Sequence, residues 1–302
     1  MTQNQSTAGT TQSSEPLSGF VYALSAFLIW GFFPLYLKAV AHIPAVEVVA
    51  HRILWSIPVA GAILLWQGRT DDLKAAIKSP RVLVMAAVTA TLISINWGIY
   101  VWAVAADRAM EGALGYYINP LVNVVLGVVL LGERFNTLQK IAVALAVIAV
   151  GILTFGAGGL PWVSLALAFS FGFYAYLRKT LPIGPTQGFL LEVLILAIPA
   201  MGYLLWLNMR GQGHFGPSNM QDMMLLMLSG VVTAVPLILY ANGAKLLRFT
   251  TLGILQYISP TMIFLQAVFV FGEPFTLTRG IAFGFIWVGL ALYTWSLFRK
   301  AG

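Results

Sequence analysis

Four ionisable side chains lie inside long apolar stretches of this sequence, where a charge is costly and seldom lacks a role. Glu47, His51 and Arg52 share one stretch, and Glu192 lies in another. A charge at the centre of a membrane helix costs roughly 2.5–3.5 kcal/mol on insertion scales. Arg52 could hold a carboxylate through its planar fork. His51 could sense or carry a proton, because imidazole titrates near neutral pH.

The spacing of these residues leaves two interpretations open. Glu47, His51 and Trp55 recur every four residues and would share one face of a helix, with Trp55 three residues from Arg52. The Arg52 guanidinium could therefore approach the Trp55 indole and bind a substrate carboxylate. Alternatively, Arg52 pairs with Glu47 or Glu192 and joins two helices. Glu47, His51 and Glu192 are thus candidates for ion coupling or for helix pairing, and the simpler hypothesis for His51 is a structural hydrogen bond.

A larger set of aromatic and amide side chains, together with Arg52, could line a substrate pocket. In apolar stretches such groups either bind a ligand or join helices through hydrogen bonds worth about 0.6 kcal/mol each. Aromatic residues near helix ends could equally belong to the interfacial belt. The candidate substrate-binding residues are Arg52, Trp55, Asn96, Trp97, Tyr100, Tyr117, Asn119, Asn123, Tyr240, Asn242, Gln256 and Tyr257.

Two prolines occupy equivalent positions in two apolar stretches. Pro120 and Pro260 each remove a backbone hydrogen bond from a predicted helix. We interpret them as hinges that let helix halves tilt, although membrane helices also tolerate proline without such a role.

The composition identifies the environment of these elements. Apolar residues make up 59% of the chain and charged residues 9%, and the mean hydropathy is +0.86. Soluble domains carry about 25% charged residues because their surface must be hydrated. The chain is therefore predicted to be an all-α integral membrane protein. It has no cysteine, which excludes disulfides and Cys-ligated metals.

Ten stretches approach the roughly 20 apolar residues that a membrane helix requires. They are residues 18–38, 45–67, 81–104, 111–131, 137–156, 160–178, 186–207, 222–244, 250–271 and 277–298. Of the 17 Lys and Arg residues, 12 would lie on the cytoplasmic side if the N-terminus is cytoplasmic. Four would lie opposite (Lys38, Arg108, Arg210 and Arg279), and Arg52 lies within a span. The positive-inside rule therefore predicts that both termini are cytoplasmic.

The second half of the chain repeats the first. Residues 117–120 (Tyr-Ile-Asn-Pro) and 132–133 (Gly-Glu) recur at 257–260 (Tyr-Ile-Ser-Pro) and 272–273 (Gly-Glu), at a constant offset of 140. Because each copy contains an odd number of spans, five, the copies must have opposite orientations. We predict a polar tail over residues 1–17, a first five-helix repeat over 18–156 and an inverted second repeat over 160–298.

An offset of 141 similarly aligns Trp30-Gly31-Phe32 with Phe171-Gly172-Phe173, and His51 with Glu192. Inverted repeats are a recurrent architecture of secondary transporters, with the substrate site at the repeat interface. Two equivalent halves can exchange conformations, which gives inward-open and outward-open states of similar energy.

Several enzyme classes lack their signature residues. The chain has no G-x-x-x-x-G-K-[ST] string for ATP hydrolysis. Its three histidines do not share a helix turn, so no metal site is expected. We predict that the protein is not an enzyme and has no cofactor or metal.

The sequence resembles the RarD-like permeases of the EamA family, within the drug/metabolite transporter superfamily. The matching strings are Pro44–Glu47, His51–Ser56, Leu114–Asn123, Leu131–Phe135, Ala168–Phe171, Thr251–Gly253, Gln256–Ile258 and Pro260-Thr261. The resemblance covers nearly the whole chain and implies a five-plus-five inverted repeat in a bacterial inner membrane. It also implies transport, and relatives export amino acids and other metabolites.

Together these observations predict a secondary transporter of a small metabolite, with export preferred. An amino acid, a related amphipathic carboxylate or a drug-like compound would be the substrate. The expected partners are the lipid bilayer and this small molecule, with protons as a candidate coupling ion and neither nucleic acid nor ATP. The alternative is a membrane-embedded sensor or assembly factor that binds a metabolite without moving it.

Overall fold

A computed structural model of the chain describes residues 16–131, 136–156, 159–217, 219–247 and 255–301. Over these ranges the chain forms helices and no strand, which confirms the all-α prediction. The helices are α1 (Leu17–Ala39), α2 (Ala45–Trp66), α3 (Thr70–Ile77), α4 (Pro80–Ala105), α5 (Ala109–Leu131), α6 (Thr137–Gly156), α7 (Trp162–Thr180), α8 (Pro185–Met209), α9 (Met220–Leu246), α10 (Ile258–Phe269) and α11 (Leu277–Ala301).

Eight of these helices are long and apolar enough to cross a membrane: α1, α2, α4, α5, α6, α8, α9 and α11. The sixth predicted span corresponds to α7, which has 19 residues but is less apolar, with Ser164, Ser170 and Arg178 along it. The ninth corresponds to α10, which has 12 residues. Residues 250–254 of that predicted span lie outside the described ranges.

Local sequence signals account for where several helices begin. Pro80 and Pro185 occupy the first position of α4 and α8, where the missing N–H would have no helical partner in any case. At the start of α9, the Asn219 side chain accepts a hydrogen bond from the backbone N–H of Asp222 at 3.1 Å. This is the standard cap of a helix N-terminus.

Contacts between loops divide the molecule into two faces. His42 lies 2.9 Å from Asp222, Lys38 pairs with Asp107, and Glu273 accepts a hydrogen bond from the N–H of Ala109. The loops 40–44, 106–108, 210–217 and 270–276 therefore lie together, and we call this side the Lys/Arg-poor face. Across the molecule, Gln187 donates to Asp72 at 3.2 Å and brings α3 to the loop 181–184 on the Lys/Arg-rich face.

Helices from the two halves of the sequence pack closely against each other. α2 packs on α8, α5 on α10, and α6 on α11, while α1 packs on α9 and α4 on α7. The backbones come very close at Gly230 of α9, where an added Cβ would lie 2.1 Å from the carbonyl oxygen of Trp55 on α2. A glycine at this point lets the two backbones meet.

Candidate functional site

Arg52 is held by side chains from three other helices. It is the eighth residue of α2 and is 4% exposed. Its Cζ lies 4.7 Å from the ring centroids of Phe33 on α1 and Trp97 on α4. Its Nε donates a hydrogen bond to Thr233 Oγ1 on α9 at 3.1 Å. We call Arg52, Phe33, Trp97 and Thr233 the arginine site.

The guanidinium of Arg52 is not neutralised by either candidate carboxylate. Both Glu47 and Glu192 are described, and neither forms an ion pair with Arg52; each has other partners. Among the described residues, Arg52 Nη1 is buried without a hydrogen-bond partner. A buried charge and a buried unpaired donor are both unfavourable. An entering carboxylate oxygen would satisfy both.

Three tyrosines border the arginine site. The phenols of Tyr36, Tyr100 and Tyr116 lie close enough to interact electrostatically with the guanidinium. Tyr100 packs on Tyr116 with ring centroids 5.3 Å apart. Within the described part of the chain, the Tyr100 hydroxyl is buried and lacks a hydrogen-bond partner. It is a second donor available to a polar ligand.

The opposite face of α2 is covered by the loop before α9. Glu47 is fully buried and accepts hydrogen bonds from the backbone N–H and the Nδ1 of His214, both at 2.7 Å. The rings of His51 and Trp55 pack on Phe215, at 4.9 and 5.9 Å. Neither ring nitrogen of His51 has a hydrogen-bond partner among the described residues, so the expected structural hydrogen bond is not formed.

The predicted approach of Arg52 to Trp55 is also not observed. Arg52 contacts Phe33 and Trp97, whereas Trp55 turns toward Phe215. Residues three positions apart on a helix lie side by side, as Arg52 and Trp55 do. However, the rings on the adjacent helices α1 and α4 compete with Trp55 for contact with the guanidinium. These rings cannot be identified from spacing within α2.

Glu192 occupies a second buried polar site. It is the eighth residue of α8 and 1% exposed. Its carboxylate accepts hydrogen bonds from Thr89 Oγ1 at 2.7 Å and from the Tyr174 hydroxyl at 3.2 Å, and it lies 3.5 Å from Arg178 Nε. Gly188 makes room for the Arg178 guanidinium, since a Cβ there would lie 2.0 Å from Nη1. We call Glu192, Thr89, Tyr174 and Arg178 the glutamate site.

Tyr117 and Tyr257, which the sequence repeat equates, contact each other. Their ring centroids are 6.5 Å apart at an interplanar angle of 24°. The Tyr117 hydroxyl lies 2.6 Å from Thr261 Oγ1. Gln256 lies in the turn before α10 and is half-buried. These residues form a group between α5 and α10.

Other predicted pocket residues lie elsewhere. Asn96 donates to the Leu167 carbonyl at 3.0 Å and to Ser170 at 2.9 Å, and so joins α4 to α7. Tyr240 packs on Phe27 and Trp30 of α1. Asn242 donates to the Ile238 carbonyl of its own helix at 2.8 Å. In these contacts the three side chains stabilise the helices, which is the alternative to binding a ligand.

The two asparagines of α5 differ in environment. Asn119 is buried, and its Oδ1 has no hydrogen-bond partner within the described ranges. Asn123, one turn later, is exposed. Only Asn119 is therefore placed to offer a buried polar group.

The two candidate hinge prolines are not equivalent in the structure. Pro120 lies inside the continuous helix α5. Pro260 is the third residue of α10, after a turn at residues 256–257. A first-turn proline sacrifices no helical hydrogen bond. Pro260 therefore does not remove a helical hydrogen bond as predicted, because the chain turns before the proline; its role as a hinge stays a prediction.

Sequence reasoning misses several residues of both charged sites. Spacing does not identify Phe33, Tyr36 and Thr233 as partners of Arg52. It also does not identify Arg178 as a partner of Glu192, because Arg178 is counted only among the Lys and Arg residues of the cytoplasmic side. One available signal is the offset of 141, which aligns Phe33 with Tyr174 as it aligns His51 with Glu192.

Two cavities open near the helix ends. One, of about 320 Å³, lies on the Lys/Arg-poor face and is lined by Arg108, Glu111, Trp162, Arg279 and Phe283 among others. The other, of about 460 Å³, lies on the Lys/Arg-rich face at the start of α8. Its lining includes Asp72, Ala76, Val82 and Gly184. Both are large enough to hold water or small solutes.

Comparison with known proteins identifies the class. The model of the EamA-like transporter family matches residues 17–155. Protein RarD of Streptomyces exfoliatus is 38% identical over 95% of this chain and 91% of its own length. Protein RarD of Escherichia coli (strain K12) is 40% identical over 91% of this chain and 93% of its own. Uncharacterized transporter YojE of Bacillus subtilis (strain 168) is 40% identical, covering 94% and 96%.

A protein solved by crystallography shares the fold. Its structure aligns with a TM-score of 0.60 and 19% identity, and the alignment covers 91% of this chain and 96% of that one. The apolar helices and the relatives above define a multi-pass membrane transporter of the bacterial inner membrane. The chain belongs to the EamA-like transporter family and is a RarD-like permease within it.

Proposed function

We propose that this chain is a secondary transporter that moves small amphipathic carboxylates across the inner membrane by alternating access, with export as the preferred direction. Amino acids, related carboxylates and drug-like compounds of that type are the candidate substrates. The observation that carries the proposal is the arginine site. The Arg52 guanidinium is buried, its Nη1 has no hydrogen-bond partner, and no carboxylate among the described residues pairs with it. Such a group is suited to bind an anion.

The surroundings of Arg52 suit an amphipathic ligand. The rings of Phe33 and Trp97 stabilise the cation without neutralising it. Tyr100, which borders the arginine site, offers a buried polar atom without a partner in the described part of the chain, and so does Asn119 on α5. A ligand with one carboxylate and an adjoining apolar or aromatic part matches such a mixture. We place the carboxylate on Arg52 and the apolar part against the neighbouring rings.

The proposed architecture has ten spans in a five-plus-five inverted repeat with both termini cytoplasmic. Residues 1–17 would form the tail, 18–156 the first repeat and 160–298 the second. The helix packing supports this arrangement, because α2–α8, α5–α10 and α6–α11 each join helices at equivalent positions. The stack of Tyr117 on Tyr257 also supports it, since equivalent residues meet only on a symmetry axis.

The experiment is flux from proteoliposomes loaded with pooled labelled amino acids and aromatic carboxylates, with and without a pH gradient. We expect efflux of at least one pool member, which Arg52→Ala abolishes and Arg52→Lys reduces, because lysine keeps the charge but loses the planar fork. Arg210→Ala is the matched control. Arg210 also lies over a tryptophan, Trp206 at 4.5 Å, but it is exposed.

Each result separates the candidate functions. Efflux that survives Arg52→Ala would remove Arg52 from the transport path. No efflux of any pool member from folded protein would favour the sensor or assembly-factor alternative over transport of this substrate class.

A further inference from the structure

The arginine and glutamate sites occupy equivalent places in the two halves of the chain. Arg52 is the eighth residue of α2 and Glu192 the eighth residue of α8. Arg52 and Glu192 differ by the offset of 140, and Phe33 of one site and Tyr174 of the other differ by the offset of 141. The two halves therefore build one kind of site twice, with a buried cation in the first copy and a buried carboxylate in the second.

The partners on the third helix of each site are also related. Thr89 on α4 holds Glu192, and the offset of 140 aligns Thr89 with Ser229, which lies one turn before Thr233 on α9. Since Thr233 holds Arg52, each buried charge is bonded by a hydroxyl from the same region of the opposite repeat.

The two charges lie near opposite faces. α2 begins at the Lys/Arg-poor face and α8 at the Lys/Arg-rich face. At 1.5 Å per residue, the eighth residue is about 10 Å from each helix start. Arg52 is therefore nearer one aqueous phase and Glu192 nearer the other.

We propose that Glu192 is a proton-binding site, and that its proton and the carboxylate on Arg52 bind together and cross the membrane in the same direction. Export would then be driven by the outward gradient of the carboxylate and would run against an inward proton gradient. The proton assignment stands on the glutamate site alone. The shared direction rests on the proposed function of Arg52.

The hydrogen bonds of Glu192 fit both a charged and a protonated carboxyl. Thr89 Oγ1 lies 2.7 Å from Glu192 Oε1 and 3.0 Å from the carbonyl oxygen of Ala86. Its single hydroxyl hydrogen can serve only one of these two acceptors. When Glu192 is charged, Thr89 donates to it. When Glu192 is protonated, Thr89 can turn to Ala86 and accept the new hydrogen bond, so neither state leaves Glu192 Oε1 or the Thr89 hydroxyl unpaired.

Arg178 does not fix Glu192 in the charged state. Arg178 Nε lies 3.5 Å from Glu192 Oε1, which is a single, long contact. Arg178 Nη2 instead donates a hydrogen bond to the Pro185 carbonyl at 2.9 Å. A paired fork would have two short bonds to the carboxylate. Because Arg178 has this other acceptor, it can remain in place when Glu192 binds a proton.

The glutamate site lies toward the Lys/Arg-rich side, from which protons would reach it. The Arg178 side chain is 16% exposed, so the glutamate site reaches the surface there. The cavity of about 460 Å³ lies at the start of the same helix, with Asp72 in its wall bonded to Gln187. Water in this cavity would bring protons to within about two turns of Glu192.

Other charged groups on the helices around α8 are accounted for. On α2, Glu47 is bonded to His214, and His51 packs on Phe215. On α9, Asp222 is bonded to His42, and on α3, Asp72 is bonded to Gln187.

On α4, Arg81 is exposed at the helix start. On α7, the ionisable groups facing Glu192 are Tyr174 and Arg178.

Electrostatics determines the direction of coupling. A carboxylate on Arg52 cancels a buried positive charge within a bundle where salt cannot screen. The negative charge of Glu192 is then less well balanced, so proton binding becomes more favourable. By linkage, a proton on Glu192 strengthens carboxylate binding by the same factor. Co-binding of anion and proton is the signature of cotransport in one direction.

The first test measures proton binding alone, by infrared spectroscopy of the purified protein in lipid during a pH titration. We expect a protonated-carboxyl band that disappears in Glu192→Gln and reappears, at a shifted midpoint, in Glu192→Asp. Glu47→Gln is the matched control, because Glu47 is equally buried, and it should keep the Glu192 band. A band unchanged by Glu192→Gln would overturn the proton assignment whatever the substrate.

The second test uses the labelled amino acid and aromatic carboxylate pool with a pH dye inside the vesicles. We expect entry of a transported pool member to carry protons inward, and Glu192→Gln to lose this proton movement. Proton movement opposite to the carboxylate would overturn the shared direction. Exchange that survives Arg52→Ala while the Glu192 infrared band stays intact would overturn the role of Arg52 and leave the proton site standing, so the two proposals fail separately.

Discussion

The arginine site stabilises a buried cation with rings instead of an acid. Phe33 and Trp97 each lie 4.7 Å from Arg52 Cζ. An acidic partner would satisfy the guanidinium and also occupy the position a substrate carboxylate needs. Aromatic rings lower the energy of the cation through their quadrupoles and leave its net charge available. In the proposed function, these partners leave Arg52 able to bind an anion.

Replacing one of these rings should weaken the site measurably. We expect Trp97→Leu to lower the free energy of unfolding by about 2 kcal/mol, which is the contribution of a desolvated cation–π contact. Leucine keeps the apolar contact but has no quadrupole to stabilise the cation. The measurement is thermal stability together with half-saturation for pool efflux. Trp206→Leu removes the exposed contact with Arg210 and should have a smaller effect. Equal effects of the two substitutions would argue against a desolvated arginine site.

Arg52 can be identified from the sequence, whereas its partners cannot. An arginine within an apolar stretch is recognisable from type and position alone. Its rings come from α1 and α4 and its hydroxyl from α9, 181 residues away. Contacts at such separations depend on how helices pack, which spacing along one helix does not reveal. For the same reason, the contact predicted between Arg52 and Trp55 is wrong.

At the scale of helices, the crossing of α2 and α9 depends on one glycine. A Cβ on Gly230 would lie 2.1 Å from the Trp55 carbonyl oxygen, and a backbone atom cannot rotate away. We expect Gly230→Ala to destabilise the protein by roughly 1–3 kcal/mol, as overpacking does. Gly202→Ala is the control, since nothing lies within 4 Å of that position. The thermal midpoint should fall in the first variant and hold or rise in the second.

The cap on α5 gives a prediction about pH. Glu273 accepts hydrogen bonds from the N–H groups of Ala109 and Met110 at 2.6 and 3.0 Å. Burial raises the pKa of the Glu273 carboxyl above its ordinary value of 4.5, although these bonds oppose the shift. A raised pKa means that the folded protein binds this proton more tightly than the unfolded one. The resulting stability is complete below pH 4.5 and is lost as pH rises through the folded-state pKa.

The measurement compares melting curves of the wild type and Glu273→Gln across this pH range. The stability of the wild type relative to the variant should decline as pH rises. Curves that run parallel at every pH would show that Glu273 titrates identically in the folded and unfolded states.

Eight of the described helices are recognisable as apolar stretches long enough to cross a membrane, whereas α7 and α10 are not. α7 places Ser164 and Ser170 where they bond to neighbouring helices, which lowers its hydropathy. α10 is short because the chain turns at residues 256–257. Hydropathy measures affinity for lipid, so it does not recognise a membrane helix whose polar groups face other parts of the protein. These two helices pack against α4, α5 and α1.

For the whole molecule, the absence of cysteine allows a direct test of orientation. The chain has none, so a single introduced thiol has no background. Asp71 and Gln212 are both exposed, on opposite faces. With cytoplasmic termini, Gln212→Cys should react with an impermeant thiol reagent added to intact cells, and Asp71→Cys only after permeabilisation. The reverse pattern would invert the proposed topology.

The bond between Glu273 and α5 also constrains how the protein is made. Glu273 follows Ala109 by 164 residues. At about 5–20 residues per second, a ribosome needs on the order of ten seconds or more to add that length. During this interval the first amides of α5 lack their carboxylate partner and must remain in contact with water at the membrane surface. Insertion of the early helices and final docking of the two halves are thus separate events in biosynthesis, and a chain that stops before residue 273 would leave that helix end permanently hydrated.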